Sequence, residues 1–313
     1  MAWLEITVDT TETGVDAAAA ALTAGGFADQ VIEDQTQFED FLEQNRACWD
    51  YIDEQLQQQL QGLSRIKLYL EDTDTAGLDR LRGLAAVLGL PLTVAPMAEV
   101  DWEESWKDNY PAVEVGQRLV VVPYWLTEEN HGGRLQIILD PGLTFGTGAH
   151  PSTQMVMEAM EKLVTNRSSC LDLGSGSGIL SIAALRLGAK SAIGVDIDPK
   201  AEGIARENAA YNGFGSDVFT ALTGNVNTDK KLMDTLKRKT YDLVCVNIVA
   251  DVIIALAPTL PQFLEENSTL LLSGILDTRL PDVLAALQQA NLQVTATHAS
   301  DTWRCLQAKR RPL

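Results

Sequence analysis

Three glycines spaced two residues apart follow a short apolar segment and predict a binding loop. They are Gly174, Gly176 and Gly178, in the sequence Cys-Leu-Asp-Leu-Gly-Ser-Gly-Ser-Gly that begins at Cys170. Residues without a Cβ let the backbone bend sharply and let a ligand approach main-chain N–H groups. The pattern therefore predicts a nucleotide-binding turn between a buried strand and a helix over residues 179–187.

Two carboxylates accompany this turn. Asp196 follows the apolar residues 192–195, about 20 residues beyond the turn, where a carboxylate can accept hydrogen bonds from both hydroxyls of a ribose. Asp172 precedes the first glycine by two residues, and it can either meet the ammonium group of a ligand or stabilise the turn. A negative charge there repels a pyrophosphate, and Ile179 occupies the place of the third glycine of the dinucleotide pattern. Both features disfavour a nicotinamide-dependent dehydrogenase, and a purely structural glycine turn stays as an alternative.

A second glycine-rich loop, residues 140–153, comes earlier in the chain. It lacks the Gly-Lys-Ser/Thr ending of a triphosphate-binding loop. Gly146 and Gly148 allow tight backbone turns, and Phe145 offers an apolar wall. We interpret His150 as a hydrogen-bonding part of this loop rather than as a catalytic base.

The end of this second loop has the composition of a helix start. Pro151 suits the first turn of a helix, and the hydroxyl of Ser152 or Thr153 suits a cap, which predicts a helix over residues 153–163. Further along, Asn247 ends an apolar segment. In an open parallel sheet, ligand groups collect beyond the carboxyl ends of the strands. Asn247 is therefore expected at the same edge of the sheet as the glycine turn.

Hydrophobic periodicity predicts the elements that position these residues. From residue 168 onward, strands and helices alternate, which predicts an α/β, doubly wound sheet with right-handed crossovers. The first part of the chain instead shows two βαβ-like halves, which predicts a ferredoxin-like α+β domain. The predicted strands are 3–8, 27–33, 65–70, 92–97, 119–124, 135–139, 170–173, 192–195, 218–222, 242–247, 270–273, 293–297 and 302–308. The predicted helices are 15–23, 76–88, 153–163, 179–187 and 198–212.

The length of 313 residues suits two domains. We place them at residues 1–98 and 113–313. The intervening residues 99–112 are predicted to form a linker, because they contain two tryptophans four residues apart on a short helix that a proline stops. Within the first domain, the Gln- and acid-rich residues 35–61 are predicted to form one or two helices with their aromatic side chains inward.

Composition narrows the class of protein. The 46% apolar and 21% charged residues are typical of a soluble globular protein. We expect a cytoplasmic protein without membrane contact, because no apolar run approaches the roughly 18 residues of a membrane span and the first residues do not form a secretion signal. The four cysteines are scattered, so we predict neither a disulfide framework nor a metal site.

The net charge of −19 is concentrated in the N-terminal third. Residues 1–110 hold 22 acidic and 6 basic side chains, whereas residues 111–313 hold 21 acidic and 18 basic ones. Such a field repels nucleic acid phosphates and attracts basic partners, although acidic surfaces also serve solubility alone. No direct contact with nucleic acid is expected.

Together these motifs resemble the ribosomal protein L11 methyltransferases, a family of class I S-adenosylmethionine (SAM) methyltransferases. The matching stretches are Asp-Pro-Gly-Leu-Thr-Phe-Gly-Thr-Gly-Ala-His-Pro-Ser-Thr (140–153), Leu-Asp-Leu-Gly-Ser-Gly-Ser-Gly-Ile-Leu (171–180), Gly-Val-Asp-Ile-Asp-Pro (194–199), Asn-Ala-Ala-Tyr-Asn-Gly (208–213), Val-Asn-Ile-Val-Ala (246–250) and Ser-Gly-Ile-Leu (273–276). The first stretch is the specific one, because many methyltransferases share the glycine turn. Ser175 stands where the family commonly has cysteine, and Ala149 and Ser152 stand where it often has threonine. These are small-for-small changes and leave the implied cofactor unchanged.

The resemblance implies a smaller N-terminal ferredoxin-like domain, followed in the sequence by a seven-stranded class I methyltransferase sheet, with SAM as cofactor. The implied cofactor-binding residues are Thr153, Gly174, Asp196, Asn247, Asp172, Gly176, Phe145, Gly146 and Asn225. The hydroxyl and N–H of Thr153 would face the methionine carboxylate, and Asn225 would meet the adenine amine. Asn247 would be the catalytic residue, because its amide oxygen can accept a hydrogen bond from the incoming amine.

The implied activity is N-methylation of lysine and/or N-terminal amines of large-subunit ribosomal protein L11 by a monomer whose acidic first domain recognises that basic protein. The methyl group would transfer by in-line displacement, with the enzyme acting mainly by orientation. A lysine ammonium, with a reference pKa of about 10.4, must first lose its proton. Two alternatives stay open: a methyltransferase of the same fold acting on the lysine of another protein, and a SAM-binding assembly factor without catalysis.

Overall fold

The computed structural model describes residues 3–11, 14–36, 62–97, 107, 110–128, 130–141 and 147–311. Phe145, Gly146, both tryptophans of the predicted linker and residues 37–61 of the Gln-rich segment lie outside these ranges. The chain forms two compact units, Met1–Asn109 and Tyr110–Leu313. Within the described ranges, none of the helices has the length and apolar character needed to cross a membrane.

The described residues of the first unit form an antiparallel four-stranded sheet and two helices. Its elements are β1 (Trp3–Asp9), α1 (Val15–Ala24), β2 (Val31–Asp34), β3 (Ser64–Glu71), α2 (Thr75–Leu88) and β4 (Leu92–Met97). The strands lie in the order β2-β3-β1-β4, and all three pairings are antiparallel. This βαββαβ arrangement confirms the predicted ferredoxin-like fold.

Alternating side chains of the central strands build the core of this unit. Ile6 of β1 and Ile66 of β3 are fully buried together with Leu22 of α1 and Leu81 of α2. The prediction that the second strand begins at residue 27 is wrong. The N–H of Phe27 donates to the carbonyl of Leu22 at the end of α1, and the Phe27 ring packs into the core, so β2 starts four residues later.

In the second unit, the described residues form two sheets. Its strands are β5 (Val113–Val115), β6 (Leu119–Pro123), β7 (Leu135–Leu139), β8 (Ser169–Leu173), β9 (Ser191–Asp196), β10 (Phe219–Thr223), β11 (Leu243–Asn247), β12 (Thr269–Leu276), β13 (Leu292–Ser300) and β14 (Trp303–Arg310). Its helices are α3 (Pro151–Leu163), α4 (Ile179–Arg186), α5 (Pro199–Tyr211), α6 (Lys230–Leu236), α7 (Ala250–Leu256) and α8 (Leu280–Gln289). Strands β5, β6 and β7 form a small sheet, and the other seven form the main sheet.

The main sheet has the strand order β10-β9-β8-β11-β12-β14-β13. Its first five strands are parallel, and β14 lies antiparallel between β12 and β13. The predicted doubly wound, seven-stranded sheet is therefore confirmed. The strand order reverses between β8 and β11, and ligands of open α/β sheets bind beyond the carboxyl ends of the strands at such a switch point.

Helices cover both faces of the main sheet. On one face, Val156 of α3, Ile182 of α4 and Ala205 of α5 belong to one buried cluster. On the other, helices α6, α7 and α8 contribute Leu236, Ile253 and similar side chains to a second cluster. Because both faces are covered, the parallel strands are almost continuously apolar, and the polar residues that interrupt them stand out at their carboxyl ends.

Candidate cofactor-binding and active site

The glycine turn follows β8 directly at the switch point. The N–H groups of Gly174 and Ser175 donate to the carbonyl of Val195 at 2.8 and 3.1 Å, which ties the turn to the neighbouring strand β9. Gly174 has φ 78°, and a Cβ at this position would lie 2.3 Å from Cγ2 of Ile248. A side chain at Gly174 is therefore excluded both by the backbone conformation and by the residue that follows Asn247.

Asp196, the last residue of β9, holds its carboxylate against this turn. Its Oδ2 accepts a hydrogen bond from the N–H of Gly176 at 2.8 Å, and its Oδ1 accepts one from the N–H of Asp198 at 3.0 Å. Each carboxylate oxygen can accept a further hydrogen bond. The half-exposed carboxylate can therefore still receive two hydroxyls of a ribose while the protein fixes its orientation.

The amide of Asn247 meets Thr153 on the other side of the switch point. Nδ2 of Asn247 donates to Oγ1 of Thr153 at 3.0 Å. The structure thus brings together the end of β11 and the first turn of α3. Since the amide nitrogen is used toward Thr153, the amide oxygen is left to accept a hydrogen bond from a ligand.

Thr153 offers less to a ligand than the sequence predicts. Its N–H donates to the carbonyl of His150 at 3.0 Å, so the expectation that this N–H faces a cofactor carboxylate is not met by the structure. Its hydroxyl is almost fully buried, but the hydroxyl hydrogen can still be donated while the oxygen accepts from Asn247.

His150 is the cap of α3. Its Nδ1 accepts a hydrogen bond from the N–H of Ser152 at 3.2 Å and lies 2.7 Å from Oγ of Ser152, while its ring meets Trp303 edge-on at 4.6 Å. Burial lowers the pKa of His150, which favours the neutral ring that can accept at Nδ1. The helix therefore begins at Pro151 with a histidine cap, and not with the predicted Ser152 or Thr153 cap.

Ser273 is a neighbour of Asn247 that the sequence analysis quoted only within a family stretch and did not single out as a site residue. It lies opposite Asn247 in the register of β11 and β12, and its buried hydroxyl donates to the carbonyl of Ser152 at 2.9 Å. The next residue, Gly274, has φ 81°, and a Cβ there would lie 2.6 Å from the carbonyl oxygen of Ile248. The available signal was a Ser-Gly pair at the end of the predicted strand 270–273, although the observed strand β12 continues to Leu276.

Asp172 is fully buried directly beneath the glycine turn. The hydroxyl of Ser181 donates to its Oδ2 at 3.1 Å, which supports the predicted role in stabilising the turn. Burial is the main reason why the pKa of Asp172 rises to about 7. Its Oδ1 has no hydrogen-bond partner among the described residues. A buried acceptor in that state suits a donor supplied by a ligand, such as an ammonium group.

The predicted adenine end of the site is an open surface. The backbone N–H of Gly224 donates to the carbonyl of Asp196 at 2.8 Å, which places Asn225 close to that acid. The side chain of Asn225 accepts from the N–H of Asn227 at 2.9 Å and so is directed toward its own loop. Ile197 is 72% exposed and follows Asp196 directly, which makes it an apolar surface that sequence reasoning did not single out.

The described residues fit a nucleoside joined to an amino acid. The Asp196 carboxylate is oriented by the turn and can accept hydrogen bonds from the two hydroxyls of a diol. The glycine turn presents its main chain at the switch point. Oδ1 of Asp172 is a buried acceptor that has no partner among the described residues. Phe145 and Gly146 contribute nothing to this test, because they lie outside the described residues. In the described part of the chain, no group of three or more His, Cys, Asp or Glu side chains could hold a metal ion.

A main sheet of this order with such a site at its switch point makes the protein a class I SAM-dependent methyltransferase. Comparison with known proteins narrows this class further. The family model described as ribosomal protein L11 methyltransferase (PrmA) matches residues 2–311. The chain belongs to that family.

Individual relatives agree with this placement. The protein named ribosomal protein L11 methyltransferase from Alkaliphilus metalliredigens is 36% identical over 320 residues, covering 99% of this chain and 98% of that protein. The protein of the same name from Heliobacterium modesticaldum is 34% identical with the same coverage. A crystal structure described as ribosomal protein L11 methylase from Lactobacillus delbrueckii subsp. bulgaricus is 32% identical, with a TM-score of 0.58, and covers 65% of this chain and 100% of that one.

Proposed function

We propose that this chain methylates lysine and/or N-terminal amines of large-subunit ribosomal protein L11. Relatives named ribosomal protein L11 methyltransferase, which align with 99% of this chain, support this substrate. The Asn247 to Thr153 hydrogen bond at the switch point supports it as well. That bond engages the nitrogen of the Asn247 amide and leaves the amide oxygen to accept a hydrogen bond from an amine N–H. An amide oxygen is suited to an amine because it accepts a hydrogen bond without adding a formal charge.

The nitrogen lone pair of the substrate must be free before it can attack. SAM supplies a methyl group on a positively charged sulfur. The residues proposed to hold it are Thr153, Asp172, Gly174, Gly176, Asp196, Asn225 and Asn247, together with Phe145 and Gly146 of the second glycine-rich loop. A positive charge nearby and partial burial both lower the pKa of a lysine ammonium, so its proton can leave to water. The amide oxygen of Asn247 then orients the neutral amine by accepting a hydrogen bond from one of its N–H groups, which directs the lone pair toward the methyl carbon.

His150 takes no part in this proton transfer in our proposal. Its Nδ1 already accepts the N–H of Ser152, and its ring is held against Trp303. The chain's own contribution to catalysis is orientation, supplied by a rigid helix start and a strand end. Orientation of reactants can by itself supply a large part of a rate enhancement.

Residues 1–98, which make up most of the first unit, are the proposed recognition domain for ribosomal protein L11. Residues 1–98 carry most of the acidic excess of the chain, and residues 99–112 are the proposed linker to the methyltransferase domain, 113–313. An acidic field speeds encounter with a basic protein. We also propose that the enzyme is a cytoplasmic monomer that binds neither nucleic acid nor membrane directly.

The decisive experiment uses purified protein, isotopically labelled SAM and purified ribosomal protein L11, with a cell extract in a parallel reaction. Label in L11 with mass shifts at amines is the expected result. Label confined to another protein of the extract would favour a different substrate, and SAM binding without label anywhere would favour an assembly factor. A variant lacking residues 1–98 is expected to bind S-adenosylhomocysteine (SAH) while failing to methylate L11; full activity would reject the recognition role.

A further inference from the structure

Two tyrosines stack on each other at the surface of the second unit. Tyr124 directly follows β6, and Tyr211 ends α5; their ring centroids are 5.4 Å apart, and the ring planes are inclined by 9°. Their exposed fractions are 37% and 46%. Trp125 meets Tyr124 edge-on at 4.9 Å and supports it. The pair is therefore held in a defined arrangement although much of its surface faces solvent.

Two carboxylates place a negative field at these rings. Glu207 is exposed and precedes Tyr211 by one helical turn on the same side of α5. Asp140 directly follows Leu139, the last residue of β7, which pairs with Pro123, the residue before Tyr124. The pKa of the Tyr211 hydroxyl is raised, first by burial and then by the charges of Asp140 and Glu207. Arg206, the neighbour of Glu207, pairs with Glu202 at 2.6 Å.

This surface is joined to the cofactor-binding turn. Asn208 lies between Glu207 and Tyr211 in the sequence of α5, and it is fully buried. Its Nδ2 donates to the carbonyl of Ser177 in the glycine turn at 2.9 Å. Its Oδ1 accepts from the N–H of Asp140, also at 2.9 Å. A partner bound over the tyrosines would therefore be held by the same helix that packs against the cofactor turn.

We propose that Tyr124, Tyr211, Asp140 and Glu207 form a docking surface for a lysine- or arginine-rich segment of the protein substrate. A cation is attracted to the face of an aromatic ring, and the two carboxylates supply the complementary charge. Phosphates would be repelled by the same carboxylates, which disfavours a nucleic acid as occupant. The proposal rests on the proposed function, because it names a surface through which the substrate protein is held near the methyl-transfer site.

Steady-state kinetics on the full-length protein test this surface. Replacing both tyrosines by alanine, Y124A/Y211A, is expected to raise the KM for ribosomal protein L11 at least about fivefold while kcat and the Kd for SAH change less than about twofold. The Y124F/Y211F variant keeps the ring faces and should stay near the wild type. Glu207→Lys should raise the KM similarly, and the effect should shrink at high salt because the interaction is electrostatic.

Glu266→Lys is the matched control for the charge change. Glu266 is an exposed acid of the same unit and precedes β12 by three residues. It therefore lies at the edge formed by the amino ends of the parallel strands, whereas the switch point lies at their carboxyl ends. An equal KM increase for Glu207→Lys and Glu266→Lys would mean a general charge effect and would overturn the proposal. An unchanged KM for Y124A/Y211A would overturn it as well.

The failure of the proposed function gives a different result. If wild-type protein does not methylate L11, the substrate proposal is wrong, and the surface is then tested by titrating an oligolysine peptide into the same variants. Weaker peptide binding to Y124A/Y211A and Glu207→Lys, but not to Glu266→Lys, would support the surface. Equal binding to all variants would reject it. Retained SAH binding shows in each case that the variant is folded.

Discussion

Nδ2 of Asn247 donates a 3.0 Å hydrogen bond to Oγ1 of Thr153 across 94 residues of sequence. The contact joins the end of β11 to the first turn of α3, at the point where the strand order of the main sheet reverses. It fixes the orientation of the Asn247 amide. The proposed amine-binding role depends on that orientation.

Asn247→Ala is expected to lower kcat for methyl transfer about 100-fold or more, because the amine loses the group that orients its lone pair. The Kd for SAH should change only a few fold, since Asp196 and the glycine turn remain. Single-turnover methylation and calorimetry with SAH measure the two effects. Equal losses in transfer and binding would refute the role toward the amine, and Thr153→Ser, which keeps the hydroxyl, should stay close to wild type.

Gly174→Ala is expected to lower the free energy of unfolding by about 3 kcal/mol and to abolish SAH binding. An alanine at this position would be held at an unfavourable positive φ, and its Cβ would lie 2.3 Å from Cγ2 of Ile248. Gly188→Ala is the matched control, because Gly188 also has a positive φ of 107° but has nothing within 4 Å of an added Cβ. Urea unfolding compares the two. Similar destabilisation by both substitutions would show that the Ile248 contact has no effect.

The buried carboxyl of Asp172 predicts a pH-dependent stability of the cofactor-free protein. Its pKa rises from an ordinary 3.8 to about 7, so the folded protein holds this proton where the unfolded chain has released it. This contribution is fully present below pH 3.8 and is lost as the pH rises through about 7. The whole effect is roughly 4 kcal/mol.

Asp172→Asn removes the titrating group and should flatten this part of the stability profile. Urea unfolding at pH 5 and pH 8 is expected to show a smaller difference for the variant than for the wild type. Asp234→Asn, at an exposed acid in α6, is the control and should leave the profile unchanged. Identical pH profiles for wild type and Asp172→Asn would contradict the buried-carboxyl explanation.

Ser273→Ala removes the hydroxyl that holds the Ser152 carbonyl. We expect a loss of about 1 to 2 kcal/mol in stability, because a buried acceptor loses its donor, and a lower kcat because the α3 start is less firmly placed. Ser268→Ala is the matched control, since buried Ser268 donates to the Tyr241 carbonyl at 2.6 Å, between residues that the proposed site does not use. Both variants should lose stability, but only Ser273→Ala should lose methyl transfer.

Much of the fold was predictable because it is encoded locally. Apolar periodicity indicated most strands of the main sheet, and the Asp198-Pro199 pair indicated the start of α5, where Asp198 caps the helix as expected. The start of β2 was not predictable in this way, because Phe27 is apolar whether it lies in a strand or fills the core after α1. Periodicity reports that a residue is buried but not which element buries it.

Sequence by itself determined the glycine turn, the position of Asp196 about 20 residues after it and the resemblance to one methyltransferase family. Those features are set by residue types at short, fixed spacings. Only the tertiary structure decided that Asn247 binds Thr153, that His150 caps α3 and that Ser273 holds Ser152. The Asn247 and Ser273 contacts join segments far apart in the chain, and their distances depend on strand order. The His150 cap is local, but its ring packs against Trp303, which is distant in sequence. The raised pKa of Asp172 likewise depends on burial, which the packed sheet and helices create together.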